Sequence, residues 1–183
     1  MSNTYCKNME RDVDVESLTL WGVLHDGELR RLESDVSSRS LTLEVSVAYL
    51  SNYYDWPEAE GILFQFYGLR SSKVNQWIPQ PGLGNEDLGS RRWTPRKWEE
   101  LEGVVPPHSI VISEASISRQ KPGVLMEIAG HEASKLGHTN VWLELAIGAE
   151  DLQIRTPDGP VDLDRLIQLG DGYWDNLGKK RKR

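Results

Sequence analysis

A mainly β fold, either an antiparallel β-sandwich or a strongly curved sheet with two short helices, is what this sequence predicts, and three observations predict it. Apolar and polar residues alternate with a period of two along several segments: Leu41, Leu43, Val45 and Val47 against Thr42, Glu44 and Ser46, and Leu143, Leu145 and Ile147 against Trp142, Glu144 and Ala146. Successive side chains on a strand point to opposite faces, so each such segment has one face for a core and one for water. Corners rich in Gly, Asp and Pro punctuate these segments, at His25-Asp26-Gly27, Lys121-Pro122-Gly123 and Pro157-Asp158-Gly159-Pro160, where left-handed or proline-fixed backbone turns a chain. Helical spacing is confined to 94–102 and 162–169. Short helices at the margin of many strands imply a layered sheet with a helix packed at one edge.

In chain order, residues 1–16 are polar with little periodicity and read as a disordered leader to a single β-rich domain spanning 17–178. Leu18, Leu20, Gly22 and Leu24 alternate with Thr19, Trp21, Val23 and His25, which reads as a first strand ending at the His25-Asp26-Gly27 turn. A second strand covers Glu28 to Ser34, a turn Asp35 to Arg39, and a third strand Leu41 to Val47. A loop containing Asn52 to Glu60 follows, then Ile62, Phe64 and Phe66 alternating with Leu63, Gln65 and Tyr67. Apolar on both faces, that strand is central. Residues 79–93 have no usable periodicity, and a loop of that length is either functional or mobile. Thr94-Pro95 then reads as an N-cap followed by proline at the first helical position, and Pro106-Pro107 ends the segment. Strands return at 109–117, 124–129, 139–148 and 152–156, and the spacing of Leu163, Leu166 and Ile167 marks the second helix, with Gly170 and Gly172 closing or breaking it.

The chain of 183 residues is long enough for one core. Its one cysteine, Cys6, excludes an intrachain disulfide and favours a reducing compartment, and neither a secretory leader nor a membrane-spanning apolar run is present. The formal charge is −7, but Lys179, Lys180, Arg181, Lys182 and Arg183 form a basic tail that holds five of the 21 cations. Residues 1–178 therefore carry a formal charge of −12, which repels nucleic-acid phosphate everywhere but at the tail. The expected partner is a protein, with no membrane, and with nucleic acid only through Lys179–Arg183.

Local signatures of catalysis are sparse. Gly82, Gly84 and Gly89 lack the strand before them and the Lys-Ser/Thr after them that phosphate cradling requires, and there is no Gly-x-Ser-x-Gly elbow. Nothing calls for a cofactor. His131, Glu132 and His138 flank the connection from Gly130 to Gly137 and are the candidate metal ligands, at a spacing that matches no standard zinc pattern. His25 and Asp26 are candidate binding residues at the first turn, although neighbours on an extended strand point apart. Acid pairs such as Glu58 with Glu60 and Glu86 with Asp87 read as solvated charge. Of the seven tryptophans, Trp77 and Trp93 bracket the long loop and are candidates to line a ligand groove or a partner's pocket.

The run Trp21-Gly22-Val23-Leu24-His25-Asp26-Gly27-Glu28-Leu29, followed by Leu41-Thr42-Leu43-Glu44-Val45, resembles the start of small uncharacterised bacterial β-rich proteins, some of them similar to immunity proteins of toxin systems. The resemblance implies a bacterial cytoplasmic binding protein and supplies no catalytic residues. The reading that follows is a non-enzymatic interaction protein offering a sheet face or the 79–93 loop to a partner. The alternative is a small-ligand binder or metal-dependent enzyme with a pocket under that loop.

Overall fold

The computed structural model describes residues 16–35, 37–77, 110–120, 122–132 and 142–180. The segment 94–102, the 79–93 loop, Trp93, His138 and residues 181–183 lie outside the described residues. The fold is mainly β. Among the described residues there are eight strands in one antiparallel sheet and three helices: β1 (Glu16–Thr19), α1 (Trp21–Leu24), β2 (Glu28–Asp35), β3 (Ser40–Ser46), α2 (Ala48–Tyr54), β4 (Ile62–Trp77), β5 (Ile110–Arg119), β6 (Val124–Glu132), β7 (Trp142–Thr156), β8 (Gly159–Val161) and α3 (Leu163–Lys180).

The two longest strands, β4 and β7, pair along most of their length and form a spine. One half of the spine, Leu63 to Tyr67 against Asp151 to Arg155, continues through β3 to β2. The other half, Ser71 to Trp77 against Gly148 to Trp142, continues through β6 to β5. Strand β5 then meets β2 at Glu28↔Val111 and Leu29↔Ile110, which closes the strands β2-β3-β4-β7-β6-β5 into a ring. The strongly curved sheet expected from the alternation is therefore curved far enough to return to itself, and closure removes most of the free edges that a flat sheet exposes. Between its two halves the spine bends where Gly68 takes φ 61° and a bulge falls between Leu69 and Ser71. Bulges sharpen twist at such corners.

Within the ring sits one core. Leu41, Leu43 and Val45 of β3, Ile62, Phe64 and Phe66 of β4, Ile112 and Ile117 of β5, Met126 of β6 and Ile147 of β7 are all buried. Their positions follow the period-two pattern, shifted by one on β5 at the bulge between Ile112 and Glu114, so alternation in sequence becomes the inside and outside of the sheet. The pairs expected as separate strands at 139–148 and 152–156 are one strand, β7, because Glu150 and Asp151 remain exposed on the sheet while Ala149, Ile154 and their neighbours stay in register with β4.

Three helical segments depart from the expected layout. Residues 21–24, expected as strand, form α1, and the buried residues are Leu20, Val23 and Leu24. That is a spacing of three and four, which a helical turn presents on one face. The strand β1 before it pairs with β5 through Leu18↔Ile117 and Thr19↔Ser116, so β1, α1 and β2 run in succession along one edge of β5. Residues 48–54, expected as loop, form α2, which Asp55 ends in the left-handed conformation at φ 57°. Finally α3 runs through Gly170 and Gly172 to Lys180 rather than stopping at 169. Gly170 is retained inside the helix by packing, since a Cβ there would lie 2.5 Å from the Gly22 carbonyl oxygen of α1.

Candidate functional site

The outward side chains of the β6–β5 half of the sheet form rows that can be read from the strand register. One row runs Asn75, Glu144, Ala129, Glu114, and the next Lys73, Ala146, Glu127, Ser116, Thr19, across β4, β7, β6, β5 and, for the second row, β1. A third brings Ser71, Gly148, Leu125 and Ser118 together. Ala129, Ala146, Gly148 and Ser116 place small side chains within these rows, and Ser118 closes the third. Small side chains set between the larger Glu144, Glu127 and Leu125 leave hollows in the sheet surface. The result is a groove of about 860 Å³, with Trp21 on one wall and Trp142 on another. A volume of this size falls within the range of ligand-binding clefts.

The groove is acidic. Glu114, Glu127 and Glu144 line it, and Lys73 is the one cation among the described lining residues. Glu144 is held in place: its carboxylate accepts from the Trp142 indole N–H at 3.3 Å and from the Asn75 side-chain amide at 3.4 Å. By register, Glu127 is one strand and two residues away from both Glu144 and Glu114. Diagonal neighbours of this kind lie roughly 7–8 Å apart on a sheet. The carboxylates are thus spread in a zigzag, and among the described residues no group of three or more His, Cys, Asp or Glu side chains is close enough to hold a metal ion.

Trp21 is 47% exposed, the most exposed large apolar side chain among the described residues, and its position depends on α3. It stacks on Trp174 with ring centroids 5.8 Å apart and planes at 22°. The Trp174 indole N–H donates to the Gly22 carbonyl at 2.7 Å, fixing the helix against the backbone that carries Trp21. Beyond Trp174 the rings continue through Tyr49 and Tyr173 to Tyr53, Tyr54 and Trp56, tying α1, α2 and α3 into one aromatic cluster. Burial and the neighbouring Tyr173 push the Tyr49 phenol well above its ordinary value, so it stays neutral and donates to the Gly22 carbonyl at 3.3 Å. Tyr54, also raised by burial, donates to the Leu169 carbonyl at 2.9 Å.

The residues singled out from the sequence are dispersed. His25 and Asp26 do form a pair, Nδ1 to Oδ2 at 3.0 Å, contrary to the expectation for neighbours on a strand, because Asp26 takes φ 58° in a turn. That pair stands behind the groove wall, with the His25 ring edge-on to Trp21 at 4.5 Å. His131 is exposed on β6, and its Nδ1 lies 3.3 Å from the Ser113 hydroxyl. Glu132 ends β6 in register with Ile110, and Trp77 ends β4 in register with Trp142 and, through it, His131. Trp93 and His138 lie outside the described residues, and Glu58 and Glu60 are exposed. The groove itself was not indicated by any local motif. Its signal is the set of small outward residues on three strands, which becomes a site only once their pairing is known. Comparison with family models, with curated proteins and with solved structures found no match for this chain.

Proposed function

We propose that this is a non-enzymatic binding protein of the bacterial cytoplasmic, immunity-like kind, whose sheet-face groove takes a basic, extended segment of a protein partner. The observation that carries the reading is the pairing of shape with charge in one place: a trough lined by the small side chains Ser116, Ala129 and Ala146 together with Glu114, Glu127 and Glu144. Alternate residues of an extended peptide lie about 6.6–6.8 Å apart on one side of its backbone. That repeat is close to the diagonal spacing of Glu127 from Glu144 and from Glu114, so Lys or Arg at two alternate positions meets two of the carboxylates. Trp21 and Trp142 add apolar contact and cation–π surface at the margins. The other half of the sheet offers a contrast, since Arg31, Glu44 and Arg155 alternate in sign along one row there.

Acidic surfaces raise association rates with basic partners by about 10- to 1,000-fold through steering, an effect that salt removes. The test uses a labelled peptide of alternating Lys and Ala. It binds the protein at low ionic strength, weakens as salt rises, and loses its affinity in the Glu114→Gln/Glu127→Gln/Glu144→Gln variant. Equal binding by that variant would refute the groove as the recognition surface.

A further inference from the structure

The charges of the groove follow an order. Lys73 on β4, Glu144 on β7, Glu127 on β6 and Glu114 on β5 put one charged side chain on each successive strand, and each is the diagonal neighbour of the next in the register. Such neighbours lie roughly 7–8 Å apart, so the sheet presents one cation followed by three anions. Lys73 is exposed and makes no ion pair among the described residues. It also stands at the end of its row. From Ser71 onward β4 pairs, among the described strands, with β7 alone, because its pairing with β3 ends at Tyr67. The row that starts at Lys73 crosses Ala146, Glu127 and Ser116 and finishes at Thr19 of β1, two residues before Trp21. Four interstrand steps of about 4.8 Å make the row about 19 Å long, the span of about six extended residues.

From this order we infer that the groove takes the carboxyl end of its partner's basic segment, with the terminal carboxylate at Lys73 and the lysines or arginines before it at Glu144 and Glu127. The inference rests on the proposed groove function and adds the terminus and the direction of the ligand. A uniformly basic segment lays a like charge on Lys73, which has no ion-pair partner among the described residues to offset the repulsion. An anionic group at that position turns the contact into attraction. The carboxyl end of a chain supplies the anion without an acidic residue, and supplies it where the row itself ends, whereas an amino end brings another cation. Ser71 and Asn75, each two residues from Lys73 and both lining the groove, offer a hydroxyl and an amide to the same carboxylate.

Two peptides of sequence Ala-Lys-Ala-Lys-Ala-Lys test the assignment, both with an uncharged fluorophore on the amino end, one with a free carboxylate and one amidated. The amide carries one more unit of positive charge, so attraction to an acidic groove alone makes it the tighter ligand. The expected result at low salt is the reverse, with the free carboxylate binding about threefold tighter, the gain of an ion pair at an exposed site. In Lys73→Gln the preference disappears and the amide binds more tightly than it does to the unaltered protein, a gain that misfolding cannot produce. Glu114→Gln/Glu127→Gln/Glu144→Gln weakens both peptides. If the amide binds the unaltered protein as tightly as the free carboxylate or tighter, yet still requires the glutamates, the terminal assignment is overturned while the groove reading stands. A carboxylate preference that survives in Lys73→Gln overturns the role of Lys73. If the amide lengthened by one aspartate matches the free carboxylate, an acidic side chain serves as well and the assignment to a chain end falls. Should neither peptide bind at low salt, the groove reading fails and this inference with it.

Discussion

Gly170 lies in the middle of α3 because the helix must approach α1 more closely than any side chain allows. An added Cβ would meet the Gly22 oxygen at 2.5 Å and the Val23 side chain at 2.9 Å, and backbone cannot yield as a flexible side-chain tip can. Glycine costs a helix interior about 1 kcal/mol relative to alanine, while overpacking a fitted contact costs typically 1–3 kcal/mol. Gly170→Ala therefore destabilises by up to about 2 kcal/mol in urea titration. Gly178→Ala, at a helical position with nothing within 4 Å, stabilises by a few tenths of a kcal/mol. Equal effects at the two sites would remove packing as the reason for Gly170. Asp35 gives a second expectation of the same scale. Its carboxylate accepts from Ser37 and Ser38, which lowers its pKa from 3.8 to about 2. A carboxylate depressed on folding contributes stability that is complete above its unfolded value and is lost as pH falls through the folded one. The difference in melting temperature between the protein and Asp35→Ala accordingly shrinks between about pH 4 and pH 2, and a difference unchanged across that window would contradict the turn's role.

Among the elements, closure of the ring is asymmetric. Strands β4 and β7 share thirteen register pairs, whereas β2 and β5 share two. The seam is reinforced locally where the Asp26 N–H donates to Ile112, the Ile112 N–H to Gly27 and the Leu20 N–H to Ala115, so α1 bridges the gap between β1 and β2. Hydrogen exchange follows cooperative strength. Amides of Phe64, Phe66 and Leu145 exchange at the slow, global limit, and those of Leu29 and Ile112 at the seam exchange faster; the reverse order would contradict the ring as drawn. How much of this was legible depends on the element. The strands around Leu43, Phe64, Ile117 and Leu145 were readable because alternation is set by the backbone itself. Segment 21–24 was misread because its pattern satisfies a period of two and a single helical turn equally, and only the burial of Leu20, Val23 and Leu24 together decides between them. Helix α2 is too short for periodicity to exceed noise, and the extension of α3 through two glycines reflects a tertiary contact that no local propensity encodes.

At the scale of the molecule, the curved sheet turns its apolar side residues onto one core and leaves an outward surface whose two halves differ. One half has alternating charges, and the other gathers small side chains and carboxylates into the groove that Trp21 of α1 borders. No helix among the described residues is long and apolar enough to cross a membrane. The site was invisible to motif search because it is assembled across β4, β5, β6 and β7, from residues that are separately unremarkable as solvated strand positions. What brings them together is the strand order, which sequence alternation leaves undetermined. The most direct measurement of the central claim is amide chemical-shift mapping during titration with the alternating Lys-Ala peptide at low salt. Shifts centred on Glu114, Glu127, Ala129, Glu144 and Ala146, with the Trp21 and Trp142 indole N–H signals moving in concert, are predicted. Shifts centred instead on Thr42, Gln65 and Gln153, or none at all, would contradict it.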